Sequence, residues 1–184
     1  MNLPLCGDIL LEMTVIASLV VGSNGAASLH GSSRALSTPA DRERFLARHQ
    51  GASAFIIGKK SAAIESYAKS QVPIFIFTRL LEELELPHPM MEQITVDSDL
   101  GEITRRIDER IPGNIVVEAG PSLLLALIGA GVIEILELSI SPIEGDGDFL
   151  SIEDLLAPFS IESEVTIDGT RLLQCRYNGH ATNS

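Results

Sequence analysis

The sequence is short of positive charge and of aromatic residues. It has 13 Lys and Arg against 25 Asp and Glu, a formal net charge of −12, and aromatics make up only 4% of its 184 residues, with no Trp. Binding to the phosphates of nucleic acids depends on clustered Lys and Arg, so this chain is a poor candidate for a nucleic acid partner. The same shortage argues against attachment to an anionic membrane surface.

Cysteine is scarce as well, and long apolar runs are missing. Cys6 and Cys175 lie at opposite ends of the chain, outside any C-x-x-C pair, so we expect free thiols in a reducing compartment and no zinc site. The apolar run 9–21 follows Asp8 and is interrupted by Glu12, which argues against a signal peptide or a membrane span. We therefore predict a cytoplasmic protein with one domain over 1–184.

The apolar residues that are present alternate between strand-like and helix-like patterns. Strands are predicted over 13–21, 54–57, 74–77, 94–96, 115–117 and 134–140, and helices over 61–69, over 100–111 and from 122 to about 129. The tail reads as a β-hairpin over 161–177 with Asp168-Gly169 at its turn. This alternation predicts an α/β fold with a mixed, mostly parallel sheet, a C-terminal antiparallel hairpin and helices on both faces.

The clearest helix is predicted between two end signals. Thr38 is a good N-cap, Pro39 suits the first helical position, and Gly51 ends the helix. Phe45 and Leu46 are expected to supply its apolar face.

Three strand–helix junctions are candidate ligand sites, because open α/β sheets bind ligands beyond the carboxyl ends of their strands. They cover residues 18–33, 58–61 and 118–123. Each is a weak signal that ordinary strand–helix connections also produce. No P-loop, G-x-G-x-x-G or G-x-S-x-G motif occurs. The four histidines lack the spacing of metal ligands, although His49 lies near a candidate site.

Several segments, taken in order, resemble one family. They are Ala17-Ser-Leu19 with Asn24-Gly-Ala26, then Gly31 to Phe45, Ala54-Phe-Ile-Ile-Gly-Lys-Lys-Ser61, Val116-Val-Glu-Ala-Gly-Pro-Ser-Leu123, Gly131-Val-Ile-Glu134 and Ser141-Pro142. Over about 14–177 the chain resembles the reductase domain of the riboflavin-biosynthesis deaminase/reductase, a pyrimidine reductase family. The resemblance implies a dihydrofolate-reductase-like fold and a homodimer. The H-x-E and P-C-x-x-C zinc signature of a deaminase is absent.

The resemblance also implies a reaction and a set of site residues. The family transfers hydride from NADPH to a ribosylamino-pyrimidine, and the protein mainly orients the two reactants. The positions that would contact NADPH are Ala17, Gly58, Ser61, Glu65, Gly120, Pro121, Ser122 and Leu123, and those that would hold a small phosphorylated heterocyclic substrate are Asn24, Ser33 and Glu118. No catalytic residue and no metal ligand can be assigned.

The chain also departs from the family pattern around this site. Asn24 replaces the usual Asp, Ala35 replaces an aromatic residue, Lys59-Lys60 replaces a small pair, and the usual Arg near the second strand falls on His49 or shifts to Arg48. The stretch that helps hold the substrate phosphate has no counterpart. Ala119 replaces the first Gly of a pair that the family joins by a cis peptide, which Ala accepts less easily.

Those departures leave three functions open. One is the family reaction, a second is reduction of a related heterocycle, and a third is a diverged, non-catalytic nucleotide-binding or assembly protein. Charge distribution leaves room for a phosphorylated ligand, because residues 30–79 contain eight basic and three acidic residues and so carry a local charge of +5.

Overall fold

Ten strands and five α-helices make up the part of the fold that the structure describes. The structure is a computed structural model that describes residues 14–62, 67, 69–79, 83–86, 88–96 and 99–180. The strands are β1 (Thr14–Gly22), β2 (Ala26–Ser28), β3 (Ala54–Gly58), β4 (Ile74–Thr78), β5 (Met91–Thr95), β6 (Asn114–Glu118), β7 (Ile135–Ser141), β8 (Gly147–Phe149), β9 (Phe159–Ile167) and β10 (Thr170–Tyr177). The helices are α1 (Pro39–Gln50), α2 (Lys59–Ala62), α3 (Leu100–Arg110), α4 (Pro121–Gly129) and α5 (Ile152–Leu156).

Eight of the strands form one mixed sheet in the order β5-β4-β3-β6-β1-β7-β10-β9. The first six are parallel to their neighbours, and β10 runs antiparallel to both β7 and β9. Residues 54–57 of β3 and all of β4 are buried, as expected of parallel strands covered on both faces. The predicted α/β class, with its mostly parallel sheet and C-terminal antiparallel hairpin, is confirmed.

The hairpin between β9 and β10 turns at Asp168-Gly169. Both residues have positive φ, +50° at Asp168 and +80° at Gly169. Two consecutive left-handed residues define a type I′ turn, whose twist matches that of the flanking strands. The Asp-Gly pair therefore forms the turn that the sequence predicts.

Helices cover both faces of the sheet, as predicted. The larger core cluster packs α3, α4 and α5 onto one face through Ile107, Leu124 and Leu155. On the other face, Phe55 of β3 contacts His49 of α1 and Tyr67, which follows α2. Crossovers on opposite faces define a crevice where the strand order reverses, and that crevice positions the site described below.

Helix α1 is attached to the sheet by polar contacts more than by apolar ones. Thr38 caps it by accepting a hydrogen bond from the Asp41 amide at 3.3 Å, and Gly51 follows its last turn. The predicted apolar face was wrong in one position, because Leu46 is exposed while Phe45 is half-buried. The sheet-facing side instead presents Arg44 and other charged residues, which the periodicity of apolar residues could not indicate.

Three elements were not predicted. Strands β2 and β8 pair with each other, Ala26 opposite Phe149, and no strand is predicted over either segment. Three residues are too few for an alternating pattern to be visible. Helix α5 has five residues, and its signal was the capping pair Ser151 and Asp154, whose amide donates to the Ser151 Oγ at 3.1 Å.

Cysteine placement is known at one of the two positions. Cys175 is free and completely buried in the core, and Cys6 lies outside the described residues. Burial is the main cause that raises the pKa of the Cys175 thiol. No helix among the described residues is long and apolar enough to cross a membrane.

Candidate functional site

The candidate site lies where β1 and β6 separate at their carboxyl ends. The two strands pair as far as Ala17 opposite Val117, after which β1 continues beside β7 until Gly22 lies opposite Ser141. The chain leaves β1 for α1 on one face and leaves β6 for α4 on the other. Adjacent strands whose helices cover opposite faces open a crevice at the sheet edge, which is where α/β sheets bind ligands.

The start of α4 forms one wall of this crevice. Gly120 is its N-cap, with no side-chain cap, and Pro121 occupies the first turn. A Cβ built at Gly120 would meet nothing within 4 Å, and Ser122 is exposed. A helix start without a side-chain cap leaves amide donors and a partial positive charge for an anion. The described peptide bonds are all trans, including Ala119–Gly120.

The turn after β3 lies against the start of α4. A Cβ built at Gly58 would lie 3.8 Å from the Cδ2 of Leu123, so two of the three predicted junctions meet. Lys59 and Lys60 are exposed at the start of α2, and Ser61 is half-buried. Glu65, another predicted cofactor contact, lies outside the described residues. This side of the crevice therefore combines an open helix start with two exposed lysines.

The third junction, after β1, is held to the segment that follows β7. Asn24 accepts hydrogen bonds on Oδ1 from the amides of Ala26 at 3.3 Å and Gly145 at 3.1 Å, and its Nδ2 donates to the Gly145 carbonyl at 2.9 Å. These bonds lead away from α4 and give Asn24 a structural role in this turn. Ala17 is completely buried, so its methyl group is closed to a ligand at this edge. Ser33 is exposed in a short 3-10 turn.

Glu118, the last residue of β6, is enclosed by two other side chains. Its Oε1 lies 2.6 Å from Nε2 of His49 on α1, and its Oε2 accepts a hydrogen bond from the Tyr67 hydroxyl. The Glu118 side chain is 9% exposed and that of His49 is 23% exposed. A buried carboxylate needs partners of this kind, because desolvation without them costs several kcal/mol.

Aromatic rings surround this carboxylate. The ring centroid of His49 lies 4.1 Å from that of Phe45 and 4.5 Å from that of Phe55, and Tyr67 meets Phe55 edge-on at 5.9 Å. Burial raises the pKa of Tyr67, and the negative charge of Glu118 raises it further. Tyr67 therefore keeps its proton near neutral pH and acts as a donor to Glu118.

A second polar cluster lies beside the first, under α1. Arg48 donates to the Glu137 carboxylate and, at 2.5 Å, to Ser18 Oγ. Arg44 donates to the carbonyl of Leu173 at 2.6 Å and lies 3.3 Å from Glu137. Two of the basic residues behind the positive charge of segment 30–79 are thus already paired, and they are not available to a phosphate.

Sequence reasoning identified Glu118 but missed what it binds. Tyr67 falls in a segment predicted as an unremarkable helix, and Arg44 was counted only as surface charge. The available signal was Glu118 itself, because an acidic residue ending a buried strand requires donors from neighbouring elements. His49 was noted near a candidate site, and the structure gives it a partner there.

Two cavities lie elsewhere in the described part of the chain. One, of about 270 Å³, is lined by residues of α3 and of the segment that follows α4, including Thr104 and Gly131. The other, of about 280 Å³, lies under the end of α1 and is lined by Arg44, Arg48 and Glu137. Neither is lined by residues 58–61 or 118–123. Among the described residues, no three His, Cys, Asp or Glu side chains form a group that could hold a metal ion.

Comparisons of the fold point to one group of reductases. A pyrimidine reductase-like protein from Corynebacterium diphtheriae is similar with a TM-score of 0.67 and 15% identity, over 89% of this chain and 91% of that one. A deaminase/5-amino-6-(5-phosphoribosylamino)uracil reductase from Thermotoga maritima is similar with a TM-score of 0.65 and 16% identity, and the match spans 89% of this chain but 56% of that longer protein.

A third similar structure is the dihydrofolate reductase of Enterococcus faecalis, complexed with NADP(H). Its TM-score is 0.64 at 14% identity, over 90% of this chain and 96% of that one. No protein-family model matches the sequence, and neither does a curated protein. The expected resemblance to pyrimidine reductases is confirmed at the level of the fold, which is dihydrofolate-reductase-like.

Proposed function

We propose that this chain is an NADPH-dependent reductase that reduces a ribosylamino-pyrimidine, or a related heterocycle, by hydride transfer. The observation that carries this proposal is the open, uncapped start of α4 beside Gly58, in the crevice between β1 and β6. The similar folds are those of reductases, one of them complexed with NADP(H). A helix start of this kind suits the diphosphate of a dinucleotide.

Residues on both sides of the crevice would hold the cofactor. The amides at Gly120–Leu123 would bind its diphosphate, and Gly58 and Ser61 would line the adjoining wall. Ala17 is completely buried between β6 and β7, so it would support the cofactor site from below without touching the cofactor. When bound, a reduced nicotinamide supplies the hydride, and the chain contributes position and a water-poor surface.

The substrate would lie on the β1 side of the crevice, near Glu118 and Ser33, with Asn24 shaping the turn above β1. Lys59 and Lys60 are exposed on the side of the crevice that carries the start of α4 and would attract a phosphate of either ligand. Two exposed lysine side chains attract a phosphate only weakly, because salt screens charges at the surface. A related heterocycle without that phosphate therefore stays within the proposal.

The enclosed Glu118 also supports a second candidate. Its two carboxylate oxygens already have partners in His49 and Tyr67, so a substrate must displace one of them or bind in another way. A diverged protein that binds a nucleotide without reducing anything would keep the start of α4 and need no free carboxylate. Cofactor binding without turnover on any pyrimidine substrate would favour this candidate.

We also propose that the protein is cytoplasmic and forms a homodimer through β9. On one face of this edge strand, Val165 is 52% exposed and Ile167 is 44% exposed. An edge strand with an apolar row is a template for pairing with another strand. A second copy would cover the row and satisfy the unpaired backbone groups across a two-fold axis.

A charge substitution at the start of α4 tests the cofactor site. Ser122→Asp places a carboxylate at the helix N-terminus, where it stabilises the helix by about 0.3–1 kcal/mol but repels a diphosphate. We expect NADPH affinity, followed by nicotinamide fluorescence, to fall at least tenfold while thermal stability is kept. Ser122→Asn is the matched neutral control and should bind normally. Equal affinity in both variants, or no binding by the unmodified chain at millimolar NADPH, would contradict the proposal.

A further inference from the structure

Tyr67, Glu118 and His49 come from three separate parts of the chain and meet at the carboxyl end of β6. Their contacts form a line, since the Tyr67 hydroxyl donates to one oxygen of Glu118 and the other oxygen lies 2.6 Å from Nε2 of His49. The fold therefore connects a carboxylate to one edge of an imidazole ring. Nothing in the family resemblance assigns a role to His49 or Tyr67.

The contact with Glu118 occupies Nε2 of His49 and leaves Nδ1 to exchange a proton with a ligand. Glu118 accepts a hydrogen bond, so Nε2 carries a proton in both charge states of the ring. Nδ1 then gains or loses the proton, and no hydrogen bond from a described residue reaches it. The ring is held between Phe45 and Phe55, and its side chain is 23% exposed. A carboxylate behind one nitrogen orients an imidazole and fixes its tautomer.

Few charged groups face the ring. Glu118 approaches it from β6, Tyr67 stacks at 6.3 Å from the segment after α2, and β3 contributes the uncharged Phe55. On α1 itself, Arg48 is the next residue but binds Glu137 and Ser18. Because Tyr67 stays protonated, Glu118 supplies the negative charge that the protonated ring needs.

The proposed reduction requires a proton. It forms a C–H bond at C1′ of the ribosyl group with hydride from the nicotinamide, and it breaks the bond between C1′ and the ring oxygen. The ring oxygen leaves with the electron pair of that bond and takes up one proton to become a hydroxyl. The oxidised nicotinamide balances the two electrons, so one proton remains to be supplied.

We propose that His49 is the proton donor of this reaction, through Nδ1, and that Glu118 and Tyr67 are positioning residues that act through it. The inference rests on the proposed function and deepens it. In this proposal Glu118 does not bind the substrate directly. It orients the imidazole of His49.

The activity test uses His49→Gln, whose amide keeps a hydrogen bond to Glu118 but carries no transferable proton. We expect kcat for the ribosylamino-pyrimidine to fall about 100-fold or more, with NADPH affinity unchanged. In the unmodified chain, kcat should depend on pH as expected for a reaction with a general acid, and that dependence should vanish in His49→Gln.

A histidine outside the crevice provides the control. His88 accepts a hydrogen bond from the Met90 amide on Nδ1 at 3.2 Å, and Asn offers an oxygen at the same place. His88→Asn should keep kcat and its pH profile. If His49→Gln retains both while the unmodified chain turns over, the inference is wrong and the proposed function stands. If the unmodified chain reduces no such substrate, both are wrong.

A second measurement needs neither cofactor nor turnover. Nitrogen-15 NMR of the histidine side chains in the chain alone should show His49 as the Nε2–H tautomer at high pH. Glu118→Gln, which removes the acceptor carboxylate, should weaken this preference for the Nε2–H tautomer. A ring that is protonated on Nδ1 and bare on Nε2 at high pH would overturn the proposed orientation, whatever the activity data show.

Discussion

Arg48 and Glu137 form an ion pair beneath α1, with the Nε of Arg48 2.5 Å from the Oε2 of Glu137. The Arg48 side chain is 5% exposed and that of Glu137 is 18% exposed. Burying two charges costs desolvation free energy, but removing one member of the pair leaves the other charge buried without a partner. It therefore fixes the position of the helix that carries His49, although it lies outside the crevice.

Removing one member of this pair should destabilise the protein strongly. We expect Arg48→Met to lower the free energy of unfolding by about 3 kcal/mol, near the low end for a broken buried pair, because Arg44 still reaches Glu137. Urea unfolding measures this, with Arg105→Met, which breaks the exposed contacts to Glu102 and Glu109, as a control expected to cost under about 1 kcal/mol. Adding Glu137→Leu to Arg48→Met should recover part of the loss. Equal effects of the two single variants would contradict the structural role.

Tyr67 should make the protein sensitive to alkaline conditions. Its pKa is raised in the folded chain, so the stabilisation is complete below the unfolded pKa of about 10. It is lost progressively as pH rises above that value, because the unfolded chain gives up the proton first. Tyr67→Phe should flatten this part of the stability curve, because it removes the ionisable hydroxyl. Urea unfolding between neutral pH and pH about 11 makes the comparison.

Replacing glycine by alanine should have opposite effects on stability at two positions. A Cβ at Gly145 would lie 2.4 Å from the Ser28 carbonyl oxygen and 2.6 Å from the Ala26 Cβ, closer than atoms can approach, so the loop must shift. We expect Gly145→Ala to cost about 2 kcal/mol of unfolding free energy. Gly129 ends α4 with nothing within 4 Å, and Gly129→Ala should gain about 0.5 kcal/mol from helix propensity. Thermal unfolding of both variants tests the contrast.

The strands of the sheet could be predicted because buried parallel strands are continuous apolar runs, as in β3 and β4. The site could be predicted only in part. Glu118 was identifiable because it follows such a run, and Gly120 because it precedes a helix. Their partners were not, since His49 and Tyr67 reach Glu118 from 69 and 51 residues away in the chain. Contacts over such separations arise from the crossing of α1 over the sheet, which no local pattern encodes.

The availability of charged side chains to a ligand could not be predicted from the sequence either. The positive segment 30–79 appears free to bind a phosphate when its charges are counted along the sequence. In the fold, Arg44 and Arg48 are committed to Glu137, a residue far outside that segment. A net charge over a segment therefore describes the field around it poorly when its members have distant partners.

The exposed edge of β9 leads to a prediction about assembly. Val165 is 52% exposed and lies opposite Leu172, whereas the neighbouring Thr166 points to the other face of the same strand. If a second copy covers the apolar row, Val165→Lys places a charge at the centre of the interface and should convert the dimer to a monomer in sedimentation velocity experiments. Thr166→Lys adds the same charge to the same strand and should weaken association much less, because that face already carries exposed Glu164 and Arg171 in an ion pair. A monomeric unmodified chain, or equal effects of the two variants, would contradict pairing through the apolar row, since charge alone would then account for the result.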